Sequence, residues 1–390
     1  MKILLSHIKG NQNSLNAVLA LKKAKMLHTF ITSINVDYKK FPLNILPKKI
    51  KIFLESKNFN NITKKIITTS LPLEFLRLGL CKIFKIDYVN GLYKKIDLLT
   101  SKILYKNKGK INAIYAYENG ALKTFKVAKK NNIKCIYELP SCYWRAKNKS
   151  FSDDNLININ KDKELKLADL IIVPSTFSKK TLKKSPFKNK KIIVVPYGFP
   201  KVTESKKKWY DNKKKLKLLY VGGLVKMKGL HHLIHAIKKL NIIHKNMLVS
   251  TIIGTGPLEK YIKKELPNEN FKKNLSHNLI LKEMKKHDIL IFPSLFEGFG
   301  LVISEAMSQG MVVISTNKTC LPDISNKNDD SITIPPNNSK DIIKKINYFV
   351  SHPKEVKRFG RNAQKTASKY KWSDYQKKLI NTINQELKIK

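Results

Sequence analysis

The 390-residue chain is short of cysteine, acidic residues and arginine, and each shortage excludes something. Its four cysteines, Cys81, Cys135, Cys142 and Cys320, form no CxxC pair and share no histidine spacing that would build a zinc site. A disulfide scaffold is excluded, and a reduced, cytoplasmic protein is expected. No apolar run approaches the ~18 residues of a spanning helix. Met1-Lys2-Ile3-Leu4-Leu5 enters a strand that His7 and Lys9 interrupt, so no signal peptide is expected. With 15 Gly and 15 Pro, the chain is too poor in both for a fibrous or disordered protein.

Acidic residues number 28 against 77 basic ones, a formal charge of +49. Only four of the basic residues are arginine (Arg77, Arg145, Arg358 and Arg361). Nucleic-acid readers rely on Arg for bidentate contacts to guanine and phosphate. A Lys, Asn and Ile excess spread along the whole chain has instead the look of an AT-rich codon bias, so no nucleic-acid partner is expected. Attraction of Lys to an anionic membrane surface, roughly 1 kcal/mol per residue near it, stays open as peripheral contact on the inner face. No Asp-x-Asp metal motif occurs, and Asp153-Asp154 and Asp329-Asp330 fall in loops.

What is present is a repeated strand–turn–helix rhythm, enough for two doubly wound α/β domains. Lys2–Ser6 reads as a first strand, the loop to Asn13 as a turn and Ser14–Lys25 as a helix, with Thr29–Ser33 as the next strand. Residues 37 to 108 are the least informative. Ser70–Ile86 and Tyr93–Leu104 read as helices with basic faces, which suits either a core or a membrane surface. Ala113–Tyr117 and Cys135–Glu138 are strands whose following turns carry Glu118 and Leu139-Pro140-Ser141-Cys142. Polar groups just past strand C-termini lie where open α/β sheets bind ligands, although Glu118 equally suits a cap for the helix Ala121–Lys130. The Lys-dense Thr203–Lys217 marks the domain boundary. Leu218–Val221 then restarts the pattern, with Gly222-Gly223-Leu224-Val225-Lys226-Met227-Lys228-Gly229 opening the helix Leu230–Leu240. Ser250–Ile253 leads to Gly254-Thr255-Gly256-Pro257, and Trp372–Lys388 is a long terminal helix.

The most informative stretch is His287–Asp323. A short apolar strand, Ile289–Phe292, ends at Pro293-Ser294. Glu297-Gly298-Phe299-Gly300 makes a Gly-rich turn, and Leu301–Gln309 is helical, with Gly310 at its C-terminal stop and Val312–Ser315 as the next strand. Free backbone N–H groups at the positive end of a helix suit a phosphate, and glycine lets it approach. Glu297 and Glu305 bracket the turn and suit hydroxyl groups. A diphosphate flanked by hydroxyl-rich rings satisfies both, which is the shape of a nucleotide sugar.

The run PSLFEGFGLVISEAMSQG resembles the donor-site motif of retaining, GT-B-fold glycosyltransferases of family 4, in which the two glutamates are also separated by seven residues. The resemblance covers most of the chain, strongly from 218 to 323. It implies two Rossmann-like domains: residues 1–199 for the acceptor, 200–371 for the donor, and a terminal helix, 372–390, returning to the first. It also implies that Glu297 is the catalytic-site glutamate holding donor-sugar hydroxyls and Glu305 the ribose partner. Lys228 would hold the diphosphate, with Gly222, Gly223, Thr255, Gly256, Gly298, Phe299, Gly300 and Leu301 lining the donor. Gly10, Asn11, Gln12 and Glu118 would face the acceptor. Where the family usually has Arg, this chain has Gly223, which removes a bidentate phosphate clamp. The stretch Leu279–Lys286 falls where the family's base-binding loop lies. Some relatives carry a catalytic histidine after the later N-terminal strand; the turn Leu139–Cys142 has none, so no base is assigned. The implied reaction moves a sugar from a nucleotide sugar to a saccharide or lipid-linked acceptor with retention, in cell-surface polysaccharide or glycolipid synthesis. It needs no metal or other cofactor, since backbone dipoles and basic side chains stabilise the leaving diphosphate. Two alternatives stand beside it: a degenerate, non-enzymatic anion- or membrane-binding protein, and a nucleotide-sugar 2-epimerase.

Overall fold

The computed structural model describes residues 1–8, 10–35, 59, 62, 65–68, 89–146, 156–202, 207–326 and 328–387. The chain divides into two compact units. One holds Met1–Val173, Leu182–Val195 and Tyr375–Lys390; the other holds Pro174–Thr181 and Pro196–Asp374. The expected helix at Ser70–Ile86, with Cys81 and Arg77, lies outside the described residues.

The first unit is built on a seven-stranded sheet of β1 (Ile3–Ser6), β2 (Leu27–Thr32), β3 (Ile66–Thr68), β4 (Ala113–Tyr117), β5 (Lys134–Glu138), β6 (Leu170–Val173) and β7 (Ile192–Val194). The spatial order is β3-β2-β1-β4-β5-β6-β7, and each neighbouring pair runs parallel. β1, β4 and β6 are buried along their whole length. Helices cover both faces of such a sheet, so its strands read as unbroken apolar runs, as Ile-Leu-Leu and Leu-Ile-Ile-Val do here. Ile114, Tyr137, Ile171 and Phe125 belong to one core cluster. The order reverses between β1 and β4, which creates a crevice beyond their C-terminal ends.

Local chemistry sets the helices of this unit. Asn11 is the N-cap of helix Gln12–Lys23, its side chain accepting from the Ser14 N–H at 3.1 Å. That helix begins two residues before the expected Ser14, because Asn11 rather than Asn13 supplies the cap. Asp97, from helix Val89–Lys106, caps helix Leu122–Lys130 from outside. It accepts from Lys123 N–H (2.7 Å), Thr124 N–H (2.8 Å) and the Thr124 hydroxyl (2.7 Å). The last helix, Trp372–Leu387, enters this unit at Tyr375. Its Gln376 donates to Asn16 and accepts from Lys23, both at 2.8 Å, and Glu386 pairs with Lys191 at 2.8 Å.

The second unit holds β8 (Leu216–Val221), β9 (Leu248–Ile253), β10 (Asn270–Lys272), β11 (Ile289–Phe292), β12 (Val312–Thr316) and β13 (Ser331–Ile334). They form one parallel sheet in the order β10-β9-β8-β11-β12-β13, whose order reverses between β8 and β11. β8 starts two residues before the expected Leu218. The segment 279–286 is helical, within His277–Lys286, and the loop lies ahead of it at 273–276. Among the described residues no helix is long and apolar enough to cross a membrane.

Candidate functional site

In the second unit the two turns that follow β8 and β11 meet. After β8, Gly222 N–H donates to Ile253 O (3.0 Å) and Leu224 N–H to Thr255 O (2.9 Å), which ties the first turn to the one after β9. The approach is so close that a Cβ on Gly254 would lie 1.9 Å from Gly222 O, and one on Gly256 would lie 2.6 Å from Leu224 O. Thr255 and Gly256 therefore brace Gly222–Leu224. Lys226–Lys228 then forms a 3-10 turn ending at Gly229, whose φ of +70° suits glycine. A Cβ there would stand 2.0 Å from Pro293 O, so glycine is what lets the first turn lie on the loop after β11. Leu295 N–H donates to Met227 O at 2.9 Å, closing the junction.

This junction aims Lys228 at Glu297, and the ammonium and carboxylate form an ion pair in which both side chains are largely buried. The Lys228 ammonium also stands 5.5 Å over the Phe292 ring. The loop carrying Glu297 is pinned by backbone contacts: Glu297 N–H to Lys318 O and Cys320 N–H to Phe299 O, both at 3.0 Å. The Thr316 hydroxyl donates to Ser294 O and the Ser175 hydroxyl to Gly298 O, each at 2.5 Å. Gly300, at φ +86°, turns the chain into helix Leu301–Ser308, and no side chain caps that N-terminus. Its first amides thus point outward as donors for an anion. Phe299 contributes only its backbone, since its ring is buried 5.1 Å from that of Tyr197. Glu305, one turn into the helix, binds His277 at 2.8 Å. That hydrogen bond raises the imidazole above its ordinary pKa. Gly223 is exposed on the first turn, and a side chain there would meet nothing within 4 Å.

The second-unit residues singled out from the sequence therefore gather on one edge, around the ion pair and the uncapped helix. Sequence reasoning missed His277, because a histidine in a polar stretch twenty-eight residues before Glu305 carries no local signal.

The first unit has its own cavity, of about 120 Å³, at the C-terminal ends of β1 and β4. Ser6, His7, Asn11, Tyr93, Tyr117 and Glu118 are among its lining residues. The Glu118 carboxylate pairs with Lys161 and accepts from the Ser141 hydroxyl, both at 3.0 Å. It does not cap the next helix. Buried Glu164 holds the turn ahead of that helix, accepting from Asn119 and Ala121 N–H and the Tyr137 hydroxyl, each at 2.9 Å. Burial pushes Glu164 up to about 7. Gly10, at φ +57°, packs against Phe59 and donates its N–H to His7 Nδ1 at 2.9 Å. Gln12 is exposed at the first helical position. Among the described residues no group of three His, Cys, Asp or Glu side chains is placed to hold a metal ion.

Comparison with known proteins agrees with this architecture. Residues 201–366 match the family "Glycosyl transferases group 1". A 165-residue stretch is 33% identical to an uncharacterized glycosyltransferase of Methanocaldococcus jannaschii, covering 40% of this chain and 44% of that one. A 216-residue stretch is 27% identical to the capsular polysaccharide biosynthesis glycosyltransferase CapM of Staphylococcus aureus, covering 50% and 56%. The chain thus spans about half the length of these curated relatives. The crystal structure of Anabaena HepE in complex with UDP-glucose superposes with a TM-score of 0.67 at 16% identity, over 99% of this chain and 100% of that one. The fold is GT-B: α/β, with two Rossmann-like doubly wound units.

Proposed function

We propose that this protein is a retaining, family 4 glycosyltransferase that takes a hexose from a nucleotide sugar and passes it to a saccharide or lipid-linked acceptor. Surface polysaccharide or glycolipid synthesis is the proposed setting. The observation that carries the reading is the junction of Lys228, Glu297 and the uncapped N-terminus of helix 301–308 at the switch point of the second unit. An anion-binding helix end beside an ammonium suits a diphosphate, and flanking carboxylates suit sugar hydroxyls. The group 1 family match over the same residues supports it.

In this reading Lys228 and the amides of Gly223, Gly300 and Leu301 hold the diphosphate, with Gly222 lining the approach. Glu297 holds donor-sugar hydroxyls at the catalytic centre, and Glu305 the ribose. The bond between the anomeric carbon and the phosphate oxygen breaks, and its electron pair goes to the nucleoside diphosphate. The acceptor oxygen attacks the same face, and its proton passes to the departing phosphate oxygen. Lys228 and the helix end stabilise the charge that develops there, with no metal required. The hydroxyl-rich acceptor is assigned to the first-unit cavity at Glu118, with Gly10, Asn11 and Gln12 forming the adjoining turn.

Gly223 favours one rival, a degenerate transferase that binds anions without transferring sugar. One experiment separates the two: thermal shift with UDP-, GDP- and ADP-sugars on the wild type and Glu305→Ala, followed by product analysis. A ligand at a hundred times its dissociation constant stabilises the fold by ~2.7 kcal/mol. Stabilisation by one nucleotide family, lost in the variant, together with an α-linked product from an α-linked donor, supports the transferase. No response to any nucleotide sugar overturns it.

A further inference from the structure

We propose that His277 is a positioning residue for nucleotide binding, one that holds the Glu305 carboxylate for the ribose and makes that contact pH-dependent. This rests on the reading of Glu305 given above. Lys228 takes Glu297, and His277 takes Glu305, so each of the two glutamates of the turn has its own cationic or cationisable partner. The partners differ in kind. Lys228 offers an ammonium beside the helix end, whereas His277 offers an imidazole, which titrates near neutrality.

The geometry is specific. His277 opens helix His277–Lys286, which packs on helix Leu301–Ser308. Its Nε2 lies 2.8 Å from Glu305 Oε1. Glu305 is 16% exposed in its side chain and His277 is 50% exposed. One carboxylate oxygen is thereby held from the protein side, and a ribose hydroxyl would take the other. Among the described residues Glu305 has no other ion-pair partner, although the chain carries 77 Lys and Arg. Glu305 is also the one titratable side chain of helix Leu301–Ser308. No other charged group among the described residues bears on the His277 ring.

Two consequences follow. A neutral His277 still donates from Nε2 and keeps Glu305 in place, so orientation survives at high pH. A protonated His277 also cancels the carboxylate's charge, which a bound diphosphate would otherwise oppose. Affinity for a nucleoside diphosphate is therefore greater below the raised pKa of His277 and falls as pH rises through it.

The test measures dissociation constants for UDP, ADP and GDP and for their 2′,3′-dideoxy forms, on wild type, His277→Leu, His277→Gln and Glu305→Ala, with unchanged melting temperatures as the folding control. At the alkaline end of the range, where the imidazole is neutral, the expected result is a three- to tenfold loss in His277→Leu for the ribose nucleotide, about one hydrogen bond's worth, with little change for its dideoxy form. His277→Gln restores most of the affinity but lacks the imidazole's titration, so the ratio of wild-type to His277→Gln affinity falls as the pH rises above 6.5. Comparing the two proteins at each pH cancels the titration of the ligand's own phosphate. Equal losses for both nucleotide forms, or none, in a protein where Glu305→Ala does weaken ribose binding would overturn the role of His277 alone. If Glu305→Ala leaves the two forms indistinguishable from wild type, the ribose reading of Glu305 falls, and the proposal with it.

Discussion

Replacing Gly223 with arginine asks whether the turn after β8 cradles a diphosphate. The position accepts a side chain: it is exposed, a Cβ there meets nothing within 4 Å, and its φ is not in the left-handed region. Its neighbour Gly222 differs, since a Cβ there would stand 2.9 Å from the Tyr220 hydroxyl. An arginine placed on the turn that carries Lys228 would add a charge-assisted, bidentate partner for phosphate, worth about 1.5–3 kcal/mol when well shielded. Solvent access reduces that to about 1–2 kcal/mol, which is a five- to thirtyfold gain in affinity. The fold should tighten slightly as well, by about 0.4–1 kcal/mol, because the unfolded chain loses the freedom of glycine. Titration calorimetry with the nucleoside diphosphate found by the thermal-shift panel reads the gain. Gly223→Gln controls for the backbone effect and should bind within about twofold of wild type, since the charge is the source of the gain. Affinity of Gly223→Arg within twofold of wild type, in a protein that melts no lower, would refute the assignment of the diphosphate to this turn.

Three further outcomes follow from the packing. Gly229→Ala puts a Cβ about 2.0 Å from Pro293 O at a φ of +70°. It should lose roughly 2–4 kcal/mol by urea denaturation, in the range of severe backbone and packing defects. A loss under about 0.5 kcal/mol, that of an ordinary surface change, would contradict the close approach of the two turns. Asp97→Ala removes the cap of helix Leu122–Lys130 and leaves the amides of Lys123 and buried Thr124 without it. A loss of about 1–2 kcal/mol is expected, and none would place the cap elsewhere. Glu164 is raised from 4.5 to about 7 by burial, so between those values the folded state holds the proton more firmly than the unfolded chain. Its contribution to stability is full below pH 4.5 and is lost as the pH rises through about 7. Urea midpoints over that window should fall more steeply for wild type than for Glu164→Gln, and parallel profiles would remove Glu164 as the source.

Much of the second unit was legible in the sequence because its signals are local. A four-residue apolar strand, a Gly-containing turn and a helix with glycine just past its end are each set by neighbouring residues, and Ile289–Phe292 and Leu301–Ser308 formed within a residue of expectation. Ala113–Tyr117 matched because a doubly covered strand is an unbroken apolar run. The first helix drifted by two residues because the nearer of two asparagines to the strand, Asn11, supplied its cap, and caps from distant side chains were not legible at all. Helix Leu122–Lys130 is capped by Asp97 from another helix, and nothing within its own turn marks that partner. Glu118 looked equally able to cap or to line a crevice. The helix's first amides go to Asp97 and the turn's to Glu164, while Glu118 meets Lys161 and Ser141.

By itself, then, the sequence determined the α/β rhythm, the expectation of two doubly wound units and the Gly-containing turn that opens helix Leu301–Ser308, since all three rest on periodicity and on residues a few positions apart. Only the tertiary structure decided the partners. That Lys228 meets Glu297, that His277 meets Glu305, and that Gly229 must lie under Pro293 depend on a sheet order in which β8 and β11 become neighbours. Parallel strands are joined by crossovers of a dozen residues or more. The groups that meet at their ends are therefore far apart in the chain, and the pairing is fixed by packing rather than by any local pattern.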